Sequence, residues 1–157
     1  GGTDIEKQTI VVLNFIKKIN MKINVDVVVG KANRCKKIIK NFCDKNKHFT
    51  FHEQIDNIAS LMLSADLAIG STGITTWERC CLGLPTIAIG VAENQRLALE
   101  RVHKVGGLYS LGCCKQVSNE EINKAISYLL SSNDNYSSMV NKSLNVCDGQ
   151  GVNRSNY

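Results

Sequence analysis

No apolar run in these 157 residues exceeds strand length; Leu67 to Gly70 and Ile87 to Val91 are representative. A bilayer span needs roughly 20 such residues, so no membrane span is expected. A basic-plus-apolar leader is also missing at the start, and the expectation is a soluble, cytoplasmic protein. There is no C-x-x-C pair among the seven cysteines, and no His and Cys spacing that would hold zinc. Cys80-Cys81 and Cys113-Cys114 are adjacent in sequence and point in different directions from a helix or strand. The cysteines therefore read as reduced side chains filling a core. Aromatic residues make up only 6% of the chain, and its basic segments lack the interleaved rings that stack bases. The net charge of +5 comes from lysines scattered over candidate helix faces, among them Lys17, Lys18, Lys22, Lys36, Lys37, Lys40, Lys45 and Lys47. Nucleic acid is disfavoured as a partner, while a modest positive field would help collect an anionic ligand. At 43% hydrophobic, the length suits one domain, 1–157, with a real core.

What is present is an alternation of helices and strands, with no internal repeat and no low-complexity linker. Thr3 and Glu6 read as a capping box opening a helix whose core face holds Ile5, Val12, Ile16 and Ile19. A β-branched run over Val25–Gly30 predicts a buried strand, and a lysine-rich helix follows with Ile38, Ile39 and Phe42 inward. Phe49–His52 alternates as a strand; Ile55, Ile58, Ala59 and Met62 mark a short helix. Next come a strand at Leu67–Gly70 and a helix from Ile74 to Cys81, stopped by Gly83-Leu84-Pro85. A strand over Thr86–Ile89, a helix from Asn94 to Val105 and a short edge strand at Leu108–Gly112 complete the middle. Ser118 and Glu121 form a second capping box, for a helix carrying Ile122, Ala125, Ile126, Leu129 and Leu130. Tyr136, Val140 and Leu144 line a last helix. The pattern predicts an α/β fold: a three-layer α/β/α, Rossmann-like parallel sheet. In such folds a glycine turn like Gly1-Gly2-Thr3 follows a first strand, so the chain is expected to be a piece of a longer protein.

The residues that carry chemistry cluster at strand ends. In Ala65 to Glu78 an apolar strand runs into the small-residue loop Gly70-Ser71-Thr72-Gly73, which opens a helix. Backbone N–H groups and the helix dipole make such a junction a seat for phosphate. Glu78, about a turn and a half inside, can accept hydrogen bonds from ribose hydroxyls, although the same carboxylate could pair with Arg79 or Lys104, or simply face solvent. The loop matches neither G-x-G-x-x-G nor a P-loop, which disfavours NAD and ATPase readings. Gly1-Gly2-Thr3-Asp4 reads equally as a second diphosphate contact and as a flexible terminus with a helix cap. Ala92-Glu93-Asn94-Gln95 follows a strand at the carboxyl edge, where sheet ligands bind; it suits sugar hydroxyls or acetamido groups, or helix capping by Asn94. His48, His52 and His103 have neither metal spacing nor a nucleophile beside them.

Three segments together resemble one family: Ala65–Gly70, Thr75-Thr76-Trp77-Glu78-Arg79-Cys80-Cys81-Leu82-Gly83-Leu84-Pro85, and Ala92-Glu93-Asn94-Gln95. It is the UDP-2,4-diacetamido-2,4,6-trideoxy-β-L-altropyranose hydrolase of pseudaminic acid biosynthesis, in its C-terminal domain. Gly1-Gly2-Thr3-Asp4 looks like that domain's opening loop, with threonine where serine is frequent, and Asp148 to Arg154 looks like its closing motif. The chain stops at Tyr157, before a final helix the family would have. More distantly, Ser71 to Glu78 and Gly83-Leu84-Pro85 resemble the donor-binding domain of the lipid II-forming N-acetylglucosaminyltransferase. Both share the two-domain GT-B architecture, of which this chain would be the C-terminal half. The resemblance implies a UDP seat made by Gly2, Thr3, Gly70, Ser71, Thr72, Gly73 and Ile74, with Glu78 on the ribose and Glu93, Asn94 and Gln95 facing the hexose. It implies no cofactor and no metal, in agreement with the lack of an Asp-x-Asp motif. The implied reaction is attack of water on the anomeric carbon with departure of UDP and inversion. Its general base is a histidine of the N-terminal domain, so this half is expected to hold UDP without turnover and to have that domain as its partner. The alternatives are the donor half of a true glycosyltransferase and a non-catalytic nucleotide-binding module.

Overall fold

A computed structural model describes residues 8–19, 22–113 and 116–147; the readings placed on Gly2, Thr3, Ile5 and Asp148 to Arg154 lie outside these residues. The described elements alternate as the hydrophobic pattern requires. They are α1 (Gln8–Lys18), β1 (Val25–Val29), α2 (Lys36–Asp44), β2 (Phe49–Glu53), α3 (Ile58–Leu63), β3 (Ala68–Ser71), α4 (Ile74–Cys81) and β4 (Thr86–Gly90). A single 3₁₀ turn over Glu93–Gln95 then leads into α5 (Arg96–Lys104), β5 (Tyr109–Cys113), α6 (Asn119–Leu130) and α7 (Asn133–Val146). All strand pairings are parallel, in two sheets ordered β1-β2 and β3-β4-β5. The architecture is the three-layer α/β/α form that alternating strands and helices impose.

Strand β4 shows how the layers are built. Its five residues are all buried, and successive side chains leave on opposite faces. Ile87 and Ile89 enter the largest core cluster with Val12, Phe15 and Ile16 of α1 and Ile122, Ala125, Ile126 and Leu129 of α6. Ala88 points the other way, to Cys80 of α4 and Leu99 and Val102 of α5. Helix α1 belongs to two clusters: Leu13 joins Val27 and Val29 of β1 and Cys35, Ile39 and Cys43 of α2, while Val12 and Ile16 join the β4 side. It clasps the two sheets together.

Local signals place the boundaries. At the start of α6 the Ser118 hydroxyl accepts from the Glu121 N–H at 3.2 Å, and the Glu121 carboxylate accepts from the Ser118 N–H at 2.9 Å. Helix α4 ends in a paired-bond turn, with Leu84 N–H donating to the Arg79 carbonyl and Gly83 N–H to the Cys80 carbonyl, both at 3.0 Å. Gly83 takes the left-handed conformation this turn needs (φ 64°), and Pro85 then bars any continuation. β5 carries one extra residue, since Ala88 faces Ser110 but Gly90 faces Cys113; the bulge brings the Cys113 thiol to 3.1 Å from the Ala92 carbonyl.

Three helix faces differ from expectation. Ile38 is 54% exposed, and Cys35 and Cys43 flank Ile39 instead, one turn to either side. Leu130 is 51% and Leu144 43% exposed. In α7 the inward positions are Met139 and Ser143, one residue before Val140 and Leu144. The helix predicted over Asn94–Val105 begins at Arg96, because Glu93–Gln95 winds as 3₁₀. Cys80 is buried, which pushes its thiol up to about 11. Its sequence neighbour Cys81 turns instead to Cys147, the two Sγ atoms lying 2.8 Å apart, so α4 and the end of α7 meet through two thiols.

Candidate functional site

The carboxyl ends of β3, β4 and β5 bring the two candidate loops side by side. Thr72 N–H donates to the Ile89 carbonyl at 3.2 Å, which extends the β3-β4 pairing one residue into the glycine loop. The Thr72 hydroxyl donates to Oε1 of Gln95 at 2.6 Å, and the same oxygen accepts from Val91 N–H at 3.3 Å. Gln95 thus ties the loop after β3 to the loop after β4. Glu93 and Asn94, its neighbours, are exposed; Glu93 pairs with Arg96.

The start of α4 is built without a side-chain cap on the preceding residue, since that residue is Gly73, at φ 147° and ψ −158°. Its N–H is taken by the Thr76 hydroxyl at 3.2 Å, and its carbonyl accepts from Thr76 N–H at 3.0 Å. Two loop N–H groups, of Thr72 and Gly73, are therefore engaged within the protein. The N–H groups of Ile74 and Thr75, first in the helix, have no intrahelical acceptor and sit at the positive end of the dipole. Around this end Ile74 is 79% and Trp77 42% exposed.

Glu78 lies on the same exposed side of α4, and its carboxylate makes no hydrogen bond or ion pair among the described residues. Of the positions the sequence left open to it, Glu78 takes the solvent-facing one. A helix turns 100° per residue, so Glu78 faces solvent although Cys80 beside it is buried. Pairing with Arg79 does not occur either, because Arg79 points inward.

Arg79 is the residue that sequence reasoning passed over. It is 5% exposed, and its guanidinium donates from Nη2 to the Ser71 carbonyl at 2.7 Å and from Nε to the Thr75 carbonyl at 3.0 Å. The Thr75 and Thr76 hydroxyls lie 3.4 and 3.5 Å from Nη2. Burial pulls its pKa below the usual arginine value, with the group still cationic at any ordinary pH. The available signal was an arginine between Glu78 and Cys80, one position from the carboxylate that faces out.

Together these residues put at one end of the sheet a helix N-terminus with two N–H groups that have no intrahelical acceptor, a buried cation beneath the loop, and an exposed carboxylate a turn further along, a set of groups chemically able to receive an anion. Among the described residues no cluster of three or more His, Cys, Asp or Glu side chains could hold a metal, and no helix is long and apolar enough to cross a membrane.

Comparison with known proteins follows the same outline. The chain is 27% identical over 129 residues, 82% of its length, to the spore coat polysaccharide biosynthesis protein SpsG of Bacillus subtilis (strain 168). It is 31% identical over 99 residues, 61% of its length, to the uncharacterised protein MJ1062 of Methanocaldococcus jannaschii. The matched regions cover 38% and 20% of those two relatives, so the chain spans well under half of either. The model of the glycosyltransferase family 28 C-terminal domain matches residues 2–150, and the chain belongs to that family.

Proposed function

We propose that this chain is the UDP-sugar-binding domain of a two-domain GT-B enzyme. The diphosphate sits at the start of α4 and the sugar beside the loop after β4. One observation carries the reading: the Thr72 to Gln95 hydrogen bond, 2.6 Å long, joins the phosphate-type loop to the sugar-type loop at the carboxyl edge of a parallel sheet. In this arrangement Ile74 and Thr75 offer backbone donors to phosphate, and Gly70 to Gly73 shape the approach. Glu78 accepts from the ribose hydroxyls, while Glu93, Asn94 and the Gln95 amide nitrogen face the hexose. Gly2 and Thr3 are assigned to the diphosphate by resemblance. The partner domain supplies the acceptor or the general base, and this chain binds UDP without turning it over.

Membership of family 28 supports the donor half of a glycosyltransferase. A second reading, in which water replaces the acceptor, is favoured by the block Thr75 to Pro85 with Ala92-Glu93-Asn94-Gln95, which resembles the diacetamido-sugar hydrolase. In both, the dipole and the buried cation stabilise the departing diphosphate, which is the service a metal performs elsewhere.

The test is a titration of labelled protein with UDP and, separately, NAD, followed by amide chemical shifts. Shifts gathered at 70–78 and 91–95 with UDP alone are expected. A folded sample indifferent to millimolar UDP, or preferring NAD, would remove the reading. Glu78→Ala should weaken UDP by about 1.5–3 kcal/mol, roughly 10- to 150-fold in Kd, if its carboxylate holds the ribose through charged hydrogen bonds. Unchanged affinity would take the ribose away from Glu78.

A further inference from the structure

No carboxylate among the described residues pairs directly with Arg79, and Glu78 on the solvent face acts on its charge only through space. Arg79 is among the few buried charged or polar residues. Its bonds are to two carbonyls and two hydroxyls, all from Ser71, Thr75 and Thr76. Neutral acceptors satisfy the N–H groups of a guanidinium but leave its charge in place, and a buried uncompensated charge is costly. The sequence has made room for it nonetheless. A Cβ on Gly70 would lie 2.9 Å from Nη1, so the absence of a side chain at Gly70 lets the guanidinium nest against the end of β3. Glu78, next in sequence, is held on the solvent face and could have been an ion-pair partner only by turning inward.

We infer that Arg79 is the positioning cation of the phosphate seat, and that the charge it awaits is the ligand's diphosphate. It acts from behind the loop. By holding the Ser71 carbonyl it turns a negative dipole end away from the seat, and its bond to the Thr75 carbonyl, which already points down the helix, fixes it there, leaving the Ile74 and Thr75 N–H groups as what an anion meets. Its own positive charge adds to that of the helix end in a poorly screened environment. The selectivity that follows is for the number of phosphate charges and not for the base or sugar. UDP should gain more from Arg79 than UMP does, and uridine should gain nothing.

This inference rests on the nucleotide-diphosphate reading above, and the experiment separates the two. Affinities for UDP, UMP and uridine are measured by calorimetry or amide shifts on the chain and on its Arg79→Met and Arg79→Lys variants. Arg79→Met is expected to lose about tenfold or more for UDP, less for UMP, and to keep its uridine affinity, with Arg79→Lys recovering much of the loss because it retains the charge. Equal losses for UDP and uridine would mean a merely structural arginine and overturn the inference, as would a Met variant that binds UDP like the parent. A parent chain that binds none of the three removes the nucleotide reading itself, and this inference with it. Should Arg79→Met fail to fold, the Nε–H resonance of Arg79 in the parent chain decides the matter. It should move on adding UDP and stay still on adding uridine; a resonance blind to UDP in a chain that binds UDP overturns the proposal.

Discussion

Replacing Ile87 by alanine is expected to cost about 3–5 kcal/mol of folding free energy, at the upper end of what a single core truncation removes. Ile87 is fully buried, on the one strand whose five residues are all inaccessible. It touches the cluster where α1 and α6 meet the sheet, so the methyl groups removed leave a cavity walled by three elements that cannot all collapse into it. A domain of this size loses about 2–4 °C in melting temperature per kcal/mol, so a fall of about 10 °C is the expected reading in a thermal melt. Ile87→Val is the companion measurement, at about 0.5–1.5 kcal/mol. Equal and small losses from the two variants would mean that β4 is not the centre of the core.

The second large effect falls on function. Gly73→Val should abolish most UDP binding while leaving the domain folded. A Cβ at Gly73 would meet nothing within 4 Å, so the protein has no clash with the new side chain. The penalty is in the backbone: φ 147° with ψ −158° is a conformation essentially reserved for glycine, and holding another residue there costs about 1–3 kcal/mol. To relieve it the loop must rotate, giving up the Gly73 to Thr76 bonds that begin α4. The valine itself also occupies the open space from which phosphate would approach. Gly73→Ala separates these effects, since it carries the strain with little of the bulk. A Gly73→Val protein with native melting and undiminished UDP affinity would place the phosphate somewhere other than α4.

The sequence was most legible where local chemistry and the hydrophobic pattern agreed. The capping box at Ser118, the stop at Gly83-Leu84-Pro85 and the β-branched run at Val25 each have a physical cause contained within a few residues, and each element is where it was predicted. Faces were less legible than elements. In α2 the periodicity of Ile38, Ile39 and Phe42 is ambiguous by one position, and only the tertiary packing reveals that two cysteines, not Ile38, complete the buried stripe. The same one-residue rotation separates Leu144 from Ser143 in α7. At the candidate site the loops were readable from small residues and strand ends. The link between Thr72 and Gln95 was not, because 23 positions separate them and nothing in either segment specifies the other. Arg79 escaped for the opposite reason. Charges in helices are ordinarily solvated, and the space this one occupies lies against Gly70, nine positions earlier and on another element.

The division of the strands into two sheets gives helix α1 a task that no strand performs. Among the described residues β4 alone has a neighbour on both sides; β1, β2, β3 and β5 each have one. No backbone ladder among the described residues joins the two sheets. What joins β1-β2 to β3-β4-β5 is therefore the side-chain packing of α1, whose Leu13 enters one cluster while Val12 and Ile16 enter the other.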